Sequence, residues 1–410
     1  MYNIYIRQTN TGNKMDKRLK LFELVRREGK VLFNNSHNVH TPQKLTDAVL
    51  SNLNLDNKDI LVLLNVEFII SLVVVYNVDP SRITFFSDHE NKSKLAQRFG
   101  VKYIKGEPDM KFDIVVGNPP YQDPTNDKKM LWNAFMDKSV DLLNPDGHLA
   151  MVTPATWLRA TTNIHNSYRA FEELEVEKAV VYAKDDTPFN VGSTISYHIT
   201  KNTKRKPNTP VYTPVYYAEW SKGTETLIRK VDIATEKIWP GSLTETNLNI
   251  HDKLQKFQKI VFTKSCEFHN QKLKKKGLVS NVQSDAYPYV HHVSAGITRY
   301  TSTKFSKHAE WKVMVPLTST INKAVVDNNC GHGEDMLTLY VADKATANNI
   351  KHLFETDVYK FIGKMYKSGR NQMLQNIFPL VAFNKKWTSD ELFDLFDFTE
   401  KEREYARNYR

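Results

Sequence analysis

Residues 112–121 read Phe112-Asp113-Ile114-Val115-Val116-Gly117-Asn118-Pro119-Pro120-Tyr121, an apolar run that empties into a double proline. The run suits a buried parallel strand, and the prolines forbid its continuation into sheet or helix. The strand therefore ends in a rigid loop, with an amide and an aromatic ring held at its carboxyl edge. In open α/β sheets that edge is where ligands bind.

Working outward, the chain alternates between strands and helices. Ile60 to Leu64, Ile83 to Phe86 and Val101 to Ile104 read as strands ahead of the run, with helices over Glu67 to Tyr76 and Lys92 to Phe99. After it come a helix from Leu131 to Leu143, a turn at Asn144-Pro145-Asp146-Gly147 and a strand from His148 to Val152. Lys178 to Tyr182 and Ser193 to Thr200 are two further strands. Thr41-Pro42 places a proline at a helix start with Thr41 as its N-cap. Alternation of this kind implies a doubly wound sheet with helices on both faces.

The same loop chemistry suits an amino acceptor. An exocyclic amine is a poor nucleophile while its lone pair is delocalised, and two acceptors on its N–H groups localise that pair. Asn118 offers a side-chain oxygen and Pro119 a backbone carbonyl, Pro120 stiffens the loop, and Tyr121 offers a face for a planar base. Asn118-Pro119-Pro120-Tyr121, behind such a strand, resembles the catalytic motif of the S-adenosylmethionine-dependent DNA adenine-N6 methyltransferases of restriction-modification and phage type. Release-factor glutamine methyltransferases share the loop, so RNA adenine and protein glutamine stay open as acceptors, as does a DNA-binding relic without catalysis.

The resemblance continues along the first half of the chain. It implies a Rossmann-like sheet binding S-adenosyl-L-methionine, with Thr41 and Pro42 covering the methionine end of the cofactor. Asp88 matches the acid that holds the ribose hydroxyls, and Glu107 or Asp109 the acid near the adenine amino group. Leu131-Trp132-Asn133-Ala134-Phe135 resembles the helix after the catalytic loop, and Phe189 the second aromatic against a flipped base. One feature departs from the family: its glycine-rich turn after the first strand is here Leu64-Asn65-Val66-Glu67-Phe68, and no glycine lies between Lys30 and Gly100. Asn65 and Glu67 are the side chains placed to meet the cofactor instead.

Composition bounds the rest. At 410 residues two domains are expected. The longest apolar run, about Ile69 to Val75, is too short to span a bilayer, and Met1-Tyr2-Asn3-Ile4 lacks the form of a secretory signal. Cys266 and Cys330 stand far apart outside any CxxC pattern, so neither a disulfide framework nor a metal site is expected. His291-His292 lacks a third ligand nearby in sequence. A cytoplasmic setting is expected, in a bacterial host cell or from a phage gene.

The net charge of +11 points to a polyanionic partner, and its distribution sharpens this: residues 201–290 hold 16 Lys/Arg against 8 Asp/Glu, and residues 1–40 hold 8 against 3. Asn202 to Asn208 is polar, basic and proline-punctuated, which suits a linker. The expected organisation is a basic helical extension over 1–35, with a helix near Asp16 to Arg27, a catalytic domain over 36–203, and a mixed α+β DNA-recognition domain over 204–410. Lys274, Lys275 and Lys276 form a basic run in a loop-like setting suited to phosphates. Arg299 and Arg370 lie in aromatic- or amide-bearing segments suited to base edges or backbone. Double-stranded DNA is the expected partner. No paired-acid-plus-lysine nuclease pattern stands out, and the stretch before Thr41 is short for a nuclease domain, so any cognate restriction enzyme is expected to be a separate chain. Thr388/Glu391 and Thr399/Glu402 have capping-box spacing near the C-terminal end.

Overall fold

The computed structural model describes residues 41–409, apart from 88–89, 107, 124–125, 159–172, 184–185, 190–193, 207–208, 234–239, 264–265, 268, 295, 318–320 and 368–376. The helix expected near Asp16 to Arg27, the basic extension over 1–35, Asp88, Glu107 and Arg370 lie outside the described residues. The chain divides into two compact units, Met1–Trp157 with Thr162–Lys237, and Leu158–Thr161 with Ile238–Arg410.

In the first unit, helix α1 (Gln43–Leu50) leads into β1 (Ile60–Leu63), whose four residues are all buried, as an uninterrupted aliphatic run requires. Helix α2 (Val66–Ile70) continues as a π-helical turn over Ser71–Val75 and is followed by β2 (Ile83–Phe86), α3 (Glu90–Arg98), β3 (Lys102–Ile104) and β4 (Phe112–Gly117). A short hairpin of β5 (Gln122–Asp123) and β6 (Asn126–Met130) precedes α4 (Trp132–Asp141), β7 (Leu143–Pro154), β8 (Leu174–Tyr182), β9 (Ile195–Lys204), β10 (Thr213–Glu219) and β11 (Thr224–Val231). Nine of these strands form one mostly parallel sheet in the order β11-β10-β8-β9-β7-β4-β1-β2-β3. β9 is antiparallel to both β7 and β8, and β11 is antiparallel to β10.

The chain steps outward from β1 to β2 and β3, then returns to place β4 on the other side of β1. That reversal is a topological switch point, where the carboxyl ends of two neighbouring strands diverge and leave a crevice. Leu63 is in register with Gly117, so the segments beginning at Leu64 and Asn118 emerge side by side. A Cβ on Gly117 would sit 3.0 Å from both the Cβ and the carbonyl oxygen of Leu63. The core of the unit gathers Leu45 and Val49 of α1, Phe68 and Ile69 of α2, and the inner residues of β1, β2, β4 and β9.

Two expectations shift. Asn202 to Lys204, read as the start of a linker, is the last part of β9, and β10 and β11 then add to the same sheet. The compact units therefore part between Lys237 and Ile238 rather than at 203/204. Asn144 to Gly147, read as a turn between helix and strand, lies within an irregular start of β7, with Asp146 at φ 59°.

The second unit is mixed α+β. Helices α5 (Glu245–Gln255) and α6 (Asn270–Lys275) precede β12 (Val279–Ser280), β13 (Tyr289–Ser294), β14 (Ile297–Thr301), β15 (Trp311–Pro316), β16 (Val325–Asp327), β17 (Cys330–His332) and β18 (Met336–Val341). They form a four-stranded sheet, β12-β14-β13-β17, and a three-stranded sheet, β16-β15-β18. Helices α7 (Lys344–Glu355), α8 (Asp357–Met365), α9 (Ser389–Leu395) and α10 (Glu400–Asn408) bury an aromatic-rich core that includes Phe354, Tyr359, Phe361 and Phe378. Both capping boxes read from sequence are formed, at Thr388 with Glu391 and at Thr399 with Glu402. Among the described residues no helix is long and apolar enough to cross a membrane.

Candidate active site

The turn after β1 carries a feature with no signal in its residue types. Leu64 stands at φ 64°, the left-handed region that a branched side chain seldom adopts. The N–H of Asn65 closes a three-residue turn onto the carbonyl of Leu63 at 2.8 Å. The N–H of Leu64 donates to Phe86 O at 2.8 Å, and the Lys92 ammonium donates to Leu64 O at 2.9 Å. Lys92 is itself buried, which pulls its pKa down against the raising effect of the Glu67 carboxylate. The backbone thus takes the path a glycine would give, with a leucine on it.

Beside this turn, Asn118 is fixed from two directions. Its backbone N–H donates to Asn65 Oδ1 at 2.8 Å, and its Nδ2 donates to Thr41 Oγ1 at 3.1 Å. Asn65 Nδ2 donates to the same Thr41 oxygen at 3.4 Å, and the Thr41 N–H donates to Glu67 Oε1 at 3.3 Å. All four residues are buried. Asn118 Oδ1 is buried with no hydrogen-bond partner among the described residues. A buried amide oxygen without a donor is costly, and at a strand's carboxyl edge such an atom has the chemistry to accept a ligand N–H.

Thr41, Asn65, Glu67 and Asn118 therefore form one buried hydrogen-bonded set, in which two residues take local roles other than those expected from sequence. Pro42, not Thr41, occupies the N-cap position of α1, and no side chain caps that helix, because the Thr41 hydroxyl is turned to the two asparagine amides. Asn65 spends both of its amide atoms inside the protein, so as it stands it braces the acceptor loop. A further set, partly buried and missed by sequence reading, holds α1 against the π-turn that follows α2: Ser71 Oγ contacts Thr46 Oγ1 at 2.6 Å and accepts from the Gln43 amide, and Asp47 joins them. Burial raises the Asp47 pKa. The set falls where α2 loosens into its π-turn, a place where helices often serve a site.

Tyr121 leans its ring on the hydrophobic core of the unit, of which Phe189 is a buried member. Its hydroxyl has no hydrogen-bond partner among the described residues, and burial drives its pKa upward. Pro119 is buried and Pro120 half-buried. Asp109 is exposed just beyond β3.

In the second unit, Lys274 and Lys275 belong to helix α6, not to a loop, and are exposed. Gly277 at φ 65° ends that helix, and Leu278 N donates to Leu273 O at 3.0 Å. Lysines in a last turn also complement the helix dipole, which explains the clustering locally. Lys276 is exposed at the helix end. Arg299 lies half-buried on β14, and its Nε has no partner among the described residues.

Residues 54–189 match the model of the Eco57I restriction-modification methylase family. The match runs from just before β1 through β4 and the Asn118 loop to Phe189. Over 66 residues the chain is 38% identical to an uncharacterized adenine-specific methylase of Mycoplasma pneumoniae, and the match covers 15% of this chain and 15% of that relative's length. Solved structures similar to it include the type IIG restriction endonuclease BpuSI, at 12% identity and TM-score 0.43 over 95% of this chain and 63% of that one. Another is the type IIL restriction-modification enzyme MmeI in complex with DNA, at 9% identity and TM-score 0.43 over 90% and 65%.

Proposed function

We propose that this chain transfers a methyl group from S-adenosyl-L-methionine to adenine N6 of a base flipped out of duplex DNA. The observation that carries the proposal is the buried, unpartnered Oδ1 of Asn118 at the switch point between β1 and β4. Asn118 Oδ1 and the carbonyl of Pro119 accept the two N–H bonds of the adenine amino group and localise its lone pair. Tyr121, with Phe189, supplies aromatic surface for a base whose extraction from the stack costs a few kcal/mol. The sulfonium of the cofactor supplies an already activated methyl group. The chain's task is then to hold an amine and release a proton, and positioning with preorganised acceptors carries most of that work. As the N6–carbon bond forms and the sulfur–carbon bond breaks, the surplus amine proton passes to solvent.

The family match of residues 54–189 supports use of this cofactor. Thr41, Pro42, Asn65 and Glu67 are the residues proposed to line its methionine end, and Asp88, Glu107 and Asp109 its nucleoside end. Residues 238–410 are the proposed reader of DNA sequence, with Lys274, Lys275, Lys276, Arg299 and Arg370 as contacts to backbone or bases. Residues 238–290 hold 8 Lys/Arg against 4 Asp/Glu, a basic balance that supports that assignment.

Leu64 favours a second reading, a DNA-binding protein that no longer transfers methyl groups, because its side chain occupies a turn whose backbone must approach a cofactor. Modification-aware sequencing of DNA from cells expressing the protein separates the two. N6-methyladenine at a defined sequence is expected with the wild type, and Asn118→Ala should lower the rate about 10²–10³-fold, as for loss of one preorganised hydrogen-bond partner. Absence of new methyladenine with the wild type, or equal amounts with Asn118→Ala, overturns the reading. Calorimetry showing no cofactor binding to the DNA-bound protein would select the second.

A further inference from the structure

Three strands of the second unit converge on a cluster that no sequence motif announces. His292 of β13, Asp327 of β16 and Cys330 of β17 bring one ligand atom each to within 4.8 Å of one another. His292 Nε2 lies 3.0 Å from Asp327 Oδ2. β13 pairs in parallel with β17, with Val290 opposite Cys330 and His292 opposite His332. Cys330 is wholly buried, and Val290 packs against its small apolar cluster with Met314 and Met336. The side chains of His292 and Asp327 are 13% and 28% exposed, so the cluster is sheltered yet reachable from solvent.

Two of the three side chains are also aimed from behind. His292 Nδ1 is 3.3 Å from Thr298 Oγ1, which leaves Nε2 directed at the carboxylate. Asp327 Oδ1 accepts from the Asn329 N–H at 2.9 Å, which turns Oδ2 inward. Outer contacts of this kind fix tautomer and orientation in metal sites. Bonds of about 2.0–2.3 Å to nitrogen, oxygen and sulfur place tetrahedral ligand atoms roughly 3.5 Å apart, within reach of the present arrangement by small side-chain moves. The buried Lys312 ammonium lies near this cluster, held by the carbonyls of His308 at 2.9 Å and Glu310 at 2.7 Å. A thiolate and a carboxylate together neutralise a dication, so the loaded cluster presents no net charge to that ammonium.

We propose that His292 Nε2, Asp327 Oδ2 and Cys330 Sγ bind a divalent metal of zinc type, which joins the β12-β14-β13-β17 sheet to the β16-β15-β18 sheet. Thiolate, imidazole and carboxylate are the donor set zinc prefers, and water completes the fourth position. Binding replaces the thiol proton, which leaves to solvent. A second group, Cys266, His269 and Glu334, is less prepared: His269 is exposed, and Glu334 Oε2 already accepts the Asn270 N–H at 2.7 Å.

The test uses the full chain, purified reduced and freed of metal by a chelator, and titrated with cobalt(II). One equivalent should bind with an intense thiolate-to-cobalt charge-transfer band, and zinc should displace it. Cys330→Ser should abolish the band, and Asp327→Asn should weaken binding more than about tenfold while keeping the shape of the side chain. Cys266→Ser should leave both unchanged, and circular dichroism shows whether each variant is folded. If Cys330→Ser fails to fold, the wild-type band with Asp327→Asn and Cys266→Ser decides. No thiolate band in the wild type, wild-type affinity in Asp327→Asn, or a band that disappears with Cys266→Ser would overturn the assignment.

Discussion

Replacing Leu64 by glycine and, separately, by alanine distinguishes backbone strain from side-chain packing at the turn after β1. Both variants discard the same half-buried side chain, at a similar cost of about 1–2 kcal/mol. Only alanine keeps a Cβ on a backbone held at φ 64°. A Cβ in the left-handed region costs about 1–2 kcal/mol, whereas in ordinary conformations glycine is the poorer choice by about 0.5–1 kcal/mol through its unfolded-state freedom. The difference leaves Leu64→Gly more stable than Leu64→Ala by about 1 kcal/mol, the reverse of the usual order. For a unit of this size that is a rise of about 2–4 °C in melting temperature, measurable by circular dichroism on the full chain. The same pair separates the cofactor question, since Leu64→Gly should bind S-adenosyl-L-methionine more tightly than Leu64→Ala in calorimetry. An alanine variant that melts at or above the glycine variant would refute the strained turn. Equal affinities would show that the side chain at position 64 does not limit cofactor approach.

Thr41→Val removes the oxygen that accepts from Asn118 Nδ2 and Asn65 Nδ2, leaving buried N–H groups unmet. It should cost about 1–3 kcal/mol and lower kcat between about 10- and 100-fold, with Thr41→Ser close to wild type; equal kcat in all three would separate Thr41 from the site. Gly117→Ala places a Cβ 3.0 Å from Leu63 backbone and side chain, and should destabilise the first unit by about 1–3 kcal/mol in urea denaturation. His198 is wholly buried, and burial pushes its pKa down to about 3. The folded state therefore resists a proton that the unfolded chain accepts near 6.5. Stability from this group is complete above about pH 6.5 and falls by roughly 1.4 kcal/mol per pH unit towards pH 3. His198→Asn should flatten that slope in acid denaturation of the first unit, and an unchanged slope would assign it to other groups.

The parts of this fold that were legible are those in which local pattern and tertiary fate coincide. Ile60 to Leu63 and Phe112 to Gly117 are apolar because they are central parallel strands, and their runs say so in one dimension. The capping boxes at Thr388 and Thr399 were legible for the same reason, being closed within four residues. Asn202 to Asn208 misled because its residue types suit a linker, yet the antiparallel register with β7 and β8 carries β9 through Lys204. Thr41 misled because capping is the local use of a threonine before a helix, while its partner Asn118 lies 77 residues away. The left-handed Leu64 has no signature, since leucine is not chosen for that conformation. Asp327 and Cys330 are near neighbours in sequence, but His292 joins them only through the pairing of β13 with β17, so spacing along the chain carried no motif.

The glycine-free turn also changes how the two halves of the site depend on each other. Where glycine comes after the first strand, the turn meets a ligand through its backbone alone. Here Asn65 adds a side chain whose oxygen holds the backbone of Asn118 and whose nitrogen shares the Thr41 hydroxyl with the Asn118 amide. The donor-side turn and the acceptor loop are thereby joined by one buried hydrogen-bonded set, and buried sets are stiff because each broken bond leaves an unmet polar group. A ligand that displaced Asn65 from Asn118 would free the acceptor loop, whereas one that entered beside it would find Asn118 Oδ1 already aimed. On the proposed function, cofactor and base binding would be coupled through Asn65, with the sign of that coupling set by which of its two hydrogen bonds the cofactor leaves intact.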